Sequence, residues 1–182
     1  MRLSQTLRNM ASGVAENKSG ATSFAMALKI ENVQDYPRPP ALEQVADRLR
    51  VTIGGATLAE TTRGWRVLET HHAPTYYIPQ DDVDMTRLVR SDASSMCEWK
   101  GRAAYFDLVL PDTRVTNAAW CYPQPTARFA DIAGAIAIYA TAVDACYVGD
   151  AQVIPQPGNF YGGWVTPNLR GTVKGAKGTE GW

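Results

Sequence analysis

From Leu49 the chain alternates, with Leu49, Val51 and Ile53 apolar against Arg48, Arg50 and Thr52. Side chains two apart share one face of a strand, so this spacing predicts a strand buried on one side. Gly54-Gly55 follows, a pair able to take positive φ in a two-residue turn, and Ala56 to Thr61 reads as the returning arm of a hairpin. Further strands are predicted over 65–70 and 75–78, separated by His71-His72-Ala73-Pro74 and closed by Pro79. Asp81 or Asp82 is placed to cap a short helical turn through Val83, Met85 and Leu88. Ala104, Phe106, Leu108 and Leu110 alternate with Tyr105, Asp107 and Val109, and Val115 to Trp120 pairs with them after a Pro111-Asp112 turn. One helical turn is predicted over 127–132 and strands over 135–139, 143–148 and 151–153. Strands outnumber helical turns throughout, and the fold class is mainly β.

The pattern changes at both ends. Residues 1–40 read as an arm and linker, because Ser, Gly and Ala dominate up to Ala21 and the stiff Tyr36-Pro37-Arg38-Pro39-Pro40 cannot pair within a central strand. The stretch from Met1 to Ser12 lacks the continuous apolar run of a secretory signal, Glu16 counts against a transit-type peptide, and Met26 offers an alternative start. Residues 41–157 form the β-rich domain. Residues 158–182 carry seven of the chain's fifteen glycines, with Phe160, Tyr161, Trp164 and Trp182 among them. So much glycine is costly to order, so this segment is expected to be irregular and fixed by its rings packing on the domain.

Charge narrows the range of partners. Lys plus Arg and Asp plus Glu number 18 each, for a formal net charge of +0, so no overall field draws nucleic acid or anionic lipid. No apolar run reaches the roughly 18 residues that span a bilayer. Cys97, Cys121 and Cys146 include no CxxC pair, so neither a disulfide framework nor a zinc site is signalled. A reducing cytoplasm is the expected location, with no cofactor or metal implied.

Candidate chemistry concentrates in Cys97-Glu98-Trp99-Lys100-Gly101. Trp99 offers an apolar face, Lys100 a fixed cation and Gly101 close backbone approach, which together suit a small anionic or nucleotide-like ligand. The competing reading makes Trp99 core and Lys100 solvated. His71 and His72 are the only histidines, and either is a candidate base beside Glu69; adjacent residues on extended chain face opposite ways and cannot easily chelate one ion. A thiol enzyme would pair Cys97 with His71 or His72, since a nearby imidazolium favours the thiolate. Gly171 to Thr179 has the composition of a phosphate loop but the wrong order. Tyr76, Tyr77, Tyr105, Trp120, Tyr122 and Tyr139 lie on neighbouring strands, as ligand platforms or as core.

Three segments, taken in order, carry a resemblance. Val67 to Thr70 leading into Tyr76-Tyr77-Ile78-Pro79, then Cys97 to Gly101 with Ala104-Tyr105, then Ala118-Ala119-Trp120 with Tyr122-Pro123, resemble the bacterial family known as domain of unknown function 427, sometimes labelled nucleotidyltransferase-like. The likeness covers about residues 46–153. It implies curved antiparallel sheets of the β-tent type with one or two short helical turns, and no proven reaction. Where the family commonly has a proline between cysteine and tryptophan, this chain has Glu98.

Three functions follow as expectations. The first is a binding module or small enzyme with a pocket lined by Tyr77, Trp99, Lys100, Tyr105, Trp120 and Tyr122. The second is metal-dependent nucleotidyl or phosphoryl transfer through Asp82 and Asp84. The third is an interaction domain whose Gly/aromatic tail docks on a partner or on a second copy as a homo-oligomer.

Overall fold

The computed structural model describes residues 28–158 and 160–179. The readings of residues 1–25, of Met26 as a start and of Trp182 lie outside the described residues. In chain order the strands are β1 (Glu31–Asn32), β2 (Ala41–Gln44), β3 (Leu49–Ile53), β4 (Ala56–Thr61), β5 (Trp65–Leu68), β6 (Thr75–Tyr77), β7 (Leu88–Cys97), β8 (Gly101–Leu110) and β9 (Thr113–Cys121). They continue with β10 (Ala137–Ile138), β11 (Ala145–Val148), β12 (Ala151–Gln152), β13 (Ile154–Pro155), β14 (Trp164–Val165) and β15 (Leu169–Arg170). Helical residues are confined to short 3-10 turns, so the fold is mainly β.

The strands form three principal sheets, ordered β10-β9-β8-β7, β12-β11-β3-β4 and β2-β5-β6, all antiparallel. The β3–β4 hairpin forms as its pattern predicts. Gly54 at φ 59° and Gly55 at φ 73° supply the left-handed turn, which side-chain-bearing residues rarely adopt. Leu49, Val51 and Ile53 face the main core, while Arg50 and Thr52 are half-buried on the other side.

Two features depart from the sequence reading. β7 is a ten-residue strand where the pattern predicts only the end of a helical turn. It lies at the edge of its sheet and most of its residues are exposed, so no apolar alternation marks it. The helical stretch near residue 83 is two separate 3-10 turns, Gln80–Asp82 and Met85–Arg87, and the capping carboxylate belongs to Asp84, which accepts the Thr86 amide at 3.3 Å. Asp82 is drawn away from capping by Thr61 and Arg63, whose side chains donate to it at 2.6 and 2.8 Å.

The ends of the described chain are tied together. β1 pairs in parallel with β15, and Val33, Tyr36 and Leu68 form a small core of their own with Leu169 and Val173 against it. Glu31 accepts two hydrogen bonds from Arg66 on β5, at 3.0 and 2.8 Å, and one from the Tyr36 hydroxyl at 2.5 Å. In the tail, Trp164 is 1% exposed, lies within the main core and donates its indole N–H to the Ile138 carbonyl at 2.9 Å.

Candidate functional site

The sheet β10-β9-β8-β7 has two faces, and period-two alternation sorts its residues between them. Ala104, Phe106, Leu108, Ala119, Cys121 and Ile138 point into the main core. Ala103, Tyr105, Trp120 and Ala137, with Tyr122 just beyond β9, belong to a second, ring-rich cluster on the opposite face, where Tyr77 of β6, Phe129 and Ile132 join them. Tyr105 and Trp120 are direct cross-strand partners. Over this second face opens a cavity of about 590 Å³.

Tyr77, Trp99, Lys100, Tyr105, Trp120 and Tyr122 all contribute to its wall, as does Cys97. His72 lies in the same wall, whereas His71, at φ 64°, lines a smaller hollow of about 280 Å³ with Thr70 and Lys174. His72 borders both spaces and His71 only the smaller one, the left-handed backbone at His71 having taken this pair out of extended geometry. The β7–β8 turn places Trp99 and Lys100. Its closing stretch is anchored by Thr126, whose hydroxyl donates to the Trp99 carbonyl at 2.7 Å and whose amide donates to the Lys100 carbonyl at 3.3 Å.

Sequence reasoning missed the other side of the wall. Arg38, Glu69, Phe160, Tyr161 and Lys174 close it from segments distant in the chain. Lys174 is held by its backbone, its amide donating to the His71 carbonyl at 2.7 Å and its carbonyl accepting from Gln156 at 3.0 Å. A signal existed: this lysine stands in the Gly171 to Thr179 stretch whose composition is that of a phosphate loop, although the chain forms no such loop. Gly162, at φ 66°, brings the tail so close to Trp120 and Tyr139 that a Cβ there would overlap the indole.

Charge around the cavity is unevenly matched. Arg38 is engaged by Glu98 at 3.1 Å and Glu69 at 3.5 Å. Lys100 is only 9% exposed, and its ammonium lies over the rings of Tyr122 and Phe129 at 5.6 and 5.7 Å, with no carboxylate paired to it among the described residues. Lys174 likewise faces a ring, that of Tyr161 at 5.0 Å, and makes no ion pair among the described residues. Two further polar atoms of the wall are buried without a hydrogen-bond partner, Tyr77 Oη and Trp99 Nε1. Unsatisfied buried groups are uncommon because each forfeits its hydration, so finding two beside one cavity is informative.

Protonation states follow from burial. Burial drives the phenols of Tyr77, Tyr122 and Tyr139 well above their ordinary value, so all three remain neutral hydroxyls near pH 7. Burial pushes His72 down, against the Thr70 carbonyl and Glu69, with Lys174 and Lys100 acting in the same direction as burial. The neutral ring donates Nδ1–H to the Thr70 carbonyl at 2.9 Å, which leaves Nε2 as an acceptor.

Asp82 and Asp84 do not join this site. The hydrogen bonds from Arg63 and Thr61 hold the Asp82 carboxyl below its usual range, and Asp84 is engaged by Thr86 and Arg87. Among the described residues no three His, Cys, Asp or Glu side chains converge as a metal-binding group. No helix among them is long and apolar enough to cross a membrane.

Fold and cavity together define a mainly β domain carrying a ring-lined, lysine-bearing hollow on one sheet face. The chain belongs to the family described as Domain of unknown function (DUF427), whose model matches residues 41–149. No curated protein matches the chain. Of the cavity wall, Arg38, Phe160, Tyr161 and Lys174 fall outside the matched segment.

Proposed function

We propose that this protein binds a small anionic or nucleotide-like ligand in the aromatic-lined cavity that Lys100 and Lys174 border. The observation that carries this reading is Lys100, a residue only 9% exposed whose ammonium has no carboxylate partner among the described residues. An ammonium withdrawn from water loses much of its hydration, and two ring faces offset that only in part. A ligand oxyanion would complete the pairing. The Trp99 indole N–H, buried and unpartnered, would donate to the same ligand, and Tyr105, Trp120 and Tyr122 would pack on its body.

The carboxylates needed for metal-dependent transfer are engaged elsewhere, so the geometry supports binding more directly than that chemistry. The test is a thermal-shift and tryptophan-fluorescence panel of nucleotides, sugar phosphates and carboxylates, run on the wild type and Lys100→Met. At least one class should raise the melting temperature and change Trp99 or Trp120 emission in the wild type only. A panel with no response, or equal responses in both proteins, removes the reading.

A further inference from the structure

The ring-lined cavity is not isolated. A second hollow of about 460 Å³ adjoins it, and Ser95, Tyr105 and Tyr139 belong to both walls. This hollow forms where the sheet abandons regular pairing. On β7 the register moves between Arg90 and Ser94, so Ser91, Asp92 and Ala93 stand opposite the single Tyr105 of β8. On β9 a second shift leaves Thr116, Asn117 and Ala118 opposite the single Asp107. Bulges of this kind bend a strand and re-aim its side chains, and they recur beside functional sites.

The distortion is fixed in place by a side chain withdrawn from solvent. Asp107 is 5% exposed; its Oδ1 accepts the Asn117 amide at 2.8 Å and its Oδ2 accepts Arg114 Nε at 2.8 Å. Asn117 is thereby held at φ 50°, a conformation that non-glycine residues rarely take, and its side chain accepts the Ser91 hydroxyl at 2.8 Å. The lining differs in kind from that of the first cavity. Ser95, Thr116, Asn117 and Thr141 contribute hydroxyls and an amide, Tyr105 and Tyr139 contribute rings, and no charged side chain lines it among the described residues.

We infer that this double-bulge hollow is a second subsite that receives a sugar ring, and that the ligand is a sugar phosphate whose phosphate lies between Lys100 and Lys174. The inference rests on the anion-binding reading of the first cavity. Phosphate is favoured over carboxylate because two lysines without counter-ions and an unpartnered indole N–H call for a doubly charged group with several acceptor oxygens. A sugar suits the adjoining space because it is neutral, carries many hydroxyls and presents apolar ring faces to tyrosines.

Calorimetric titrations with inorganic phosphate, glucose and a glucose phosphate test it on the intact chain. The glucose phosphate should bind at least about tenfold tighter than inorganic phosphate, a difference equivalent to about 1.4 kcal/mol. Thr116→Trp, which fills the hollow from an exposed position, should erase that gain and leave inorganic phosphate binding as it was. Thr141→Phe fills the hollow from another wall, the 3-10 turn Ala140–Ala142, and thermal unfolding verifies that each variant is folded. Equal affinity for the ester and inorganic phosphate, or a gain that survives both filled variants, overturns the sugar subsite and leaves the anion site standing. If neither phosphate binds, the sugar phosphate is excluded, and the carboxylates of the broader panel decide whether the anion site survives.

Discussion

Replacing Lys100 by methionine separates a ligand-binding cation from a structural one, because the two roles predict opposite signs for stability. Lys100 is 9% exposed, its ammonium lies over the faces of Tyr122 and Phe129, and no carboxylate pairs with it among the described residues. Withdrawing an ammonium from water costs several kcal/mol even after relaxation. Two ring contacts at these distances offset roughly 1 kcal/mol each. The balance leaves Lys100 opposing folding by about 1–2 kcal/mol. Methionine keeps a similar unbranched stem and removes the charge. Lys100→Met should therefore raise stability by about 1–2 kcal/mol, seen as a melting temperature higher by about 2–8 °C for a chain of this size. Urea denaturation read by tryptophan fluorescence gives the free energy directly, and the same protein should lose its response to ligand. A variant less stable than wild type by more than about 0.5 kcal/mol would show that the ammonium is structural, and the reasoning from an unmatched buried cation would fail.

Two further substitutions probe how the cavity is assembled. Glu31 has a pKa held below its ordinary value of 4.5: burial alone would raise it, but the Arg66 and Tyr36 hydrogen bonds and the guanidinium charge more than offset this. A carboxylate lowered on folding stabilises the fold above its unfolded pKa and loses that contribution as pH falls through the folded value. Wild-type stability should thus decline from about pH 5 downward in part through this group, and Glu31→Gln should cost on the order of 2 kcal/mol near pH 7 while flattening that part of the pH profile measured by urea melts. Gly162→Ala combines a residue at φ 66° with a Cβ that overlaps Trp120 and crowds Tyr139. A loss of about 1–3 kcal/mol in thermal unfolding, with altered indole emission, is expected; an unchanged melting curve would mean that the tail does not pack on the ring wall.

What the sequence disclosed depended on how far apart the cooperating residues lie. The β3–β4 hairpin was legible because alternation and a Gly-Gly turn are local signals. Trp99 and Lys100 were legible as neighbours on one cavity wall because they are adjacent in the chain, and Tyr105 and Trp120 because both occupy strands whose period is plain. β7 was hidden: as an edge strand it exposes most of its side chains, so its small polar residues carry no hydrophobic period. Arg38 and Lys174 were not placed at the cavity, because only the closure of β1 against β15 and the backbone bonds of Lys174 bring those distant segments to it. The bulges of β7 and β9 left no signature either, since each is a property of two strands in register rather than of one.

The parallel pairing of β1 with β15 has a consequence for synthesis. Glu31 is among the first of the described residues to leave the ribosome and Leu169, its partner, among the last. A chain halted just before Lys174 is translated holds the strands of every principal sheet, together with Phe160 and Tyr161, yet has no second lysine at the hollow. The proposed pairing of an anion with both lysines would therefore have to wait for Lys174, however early the sheets form.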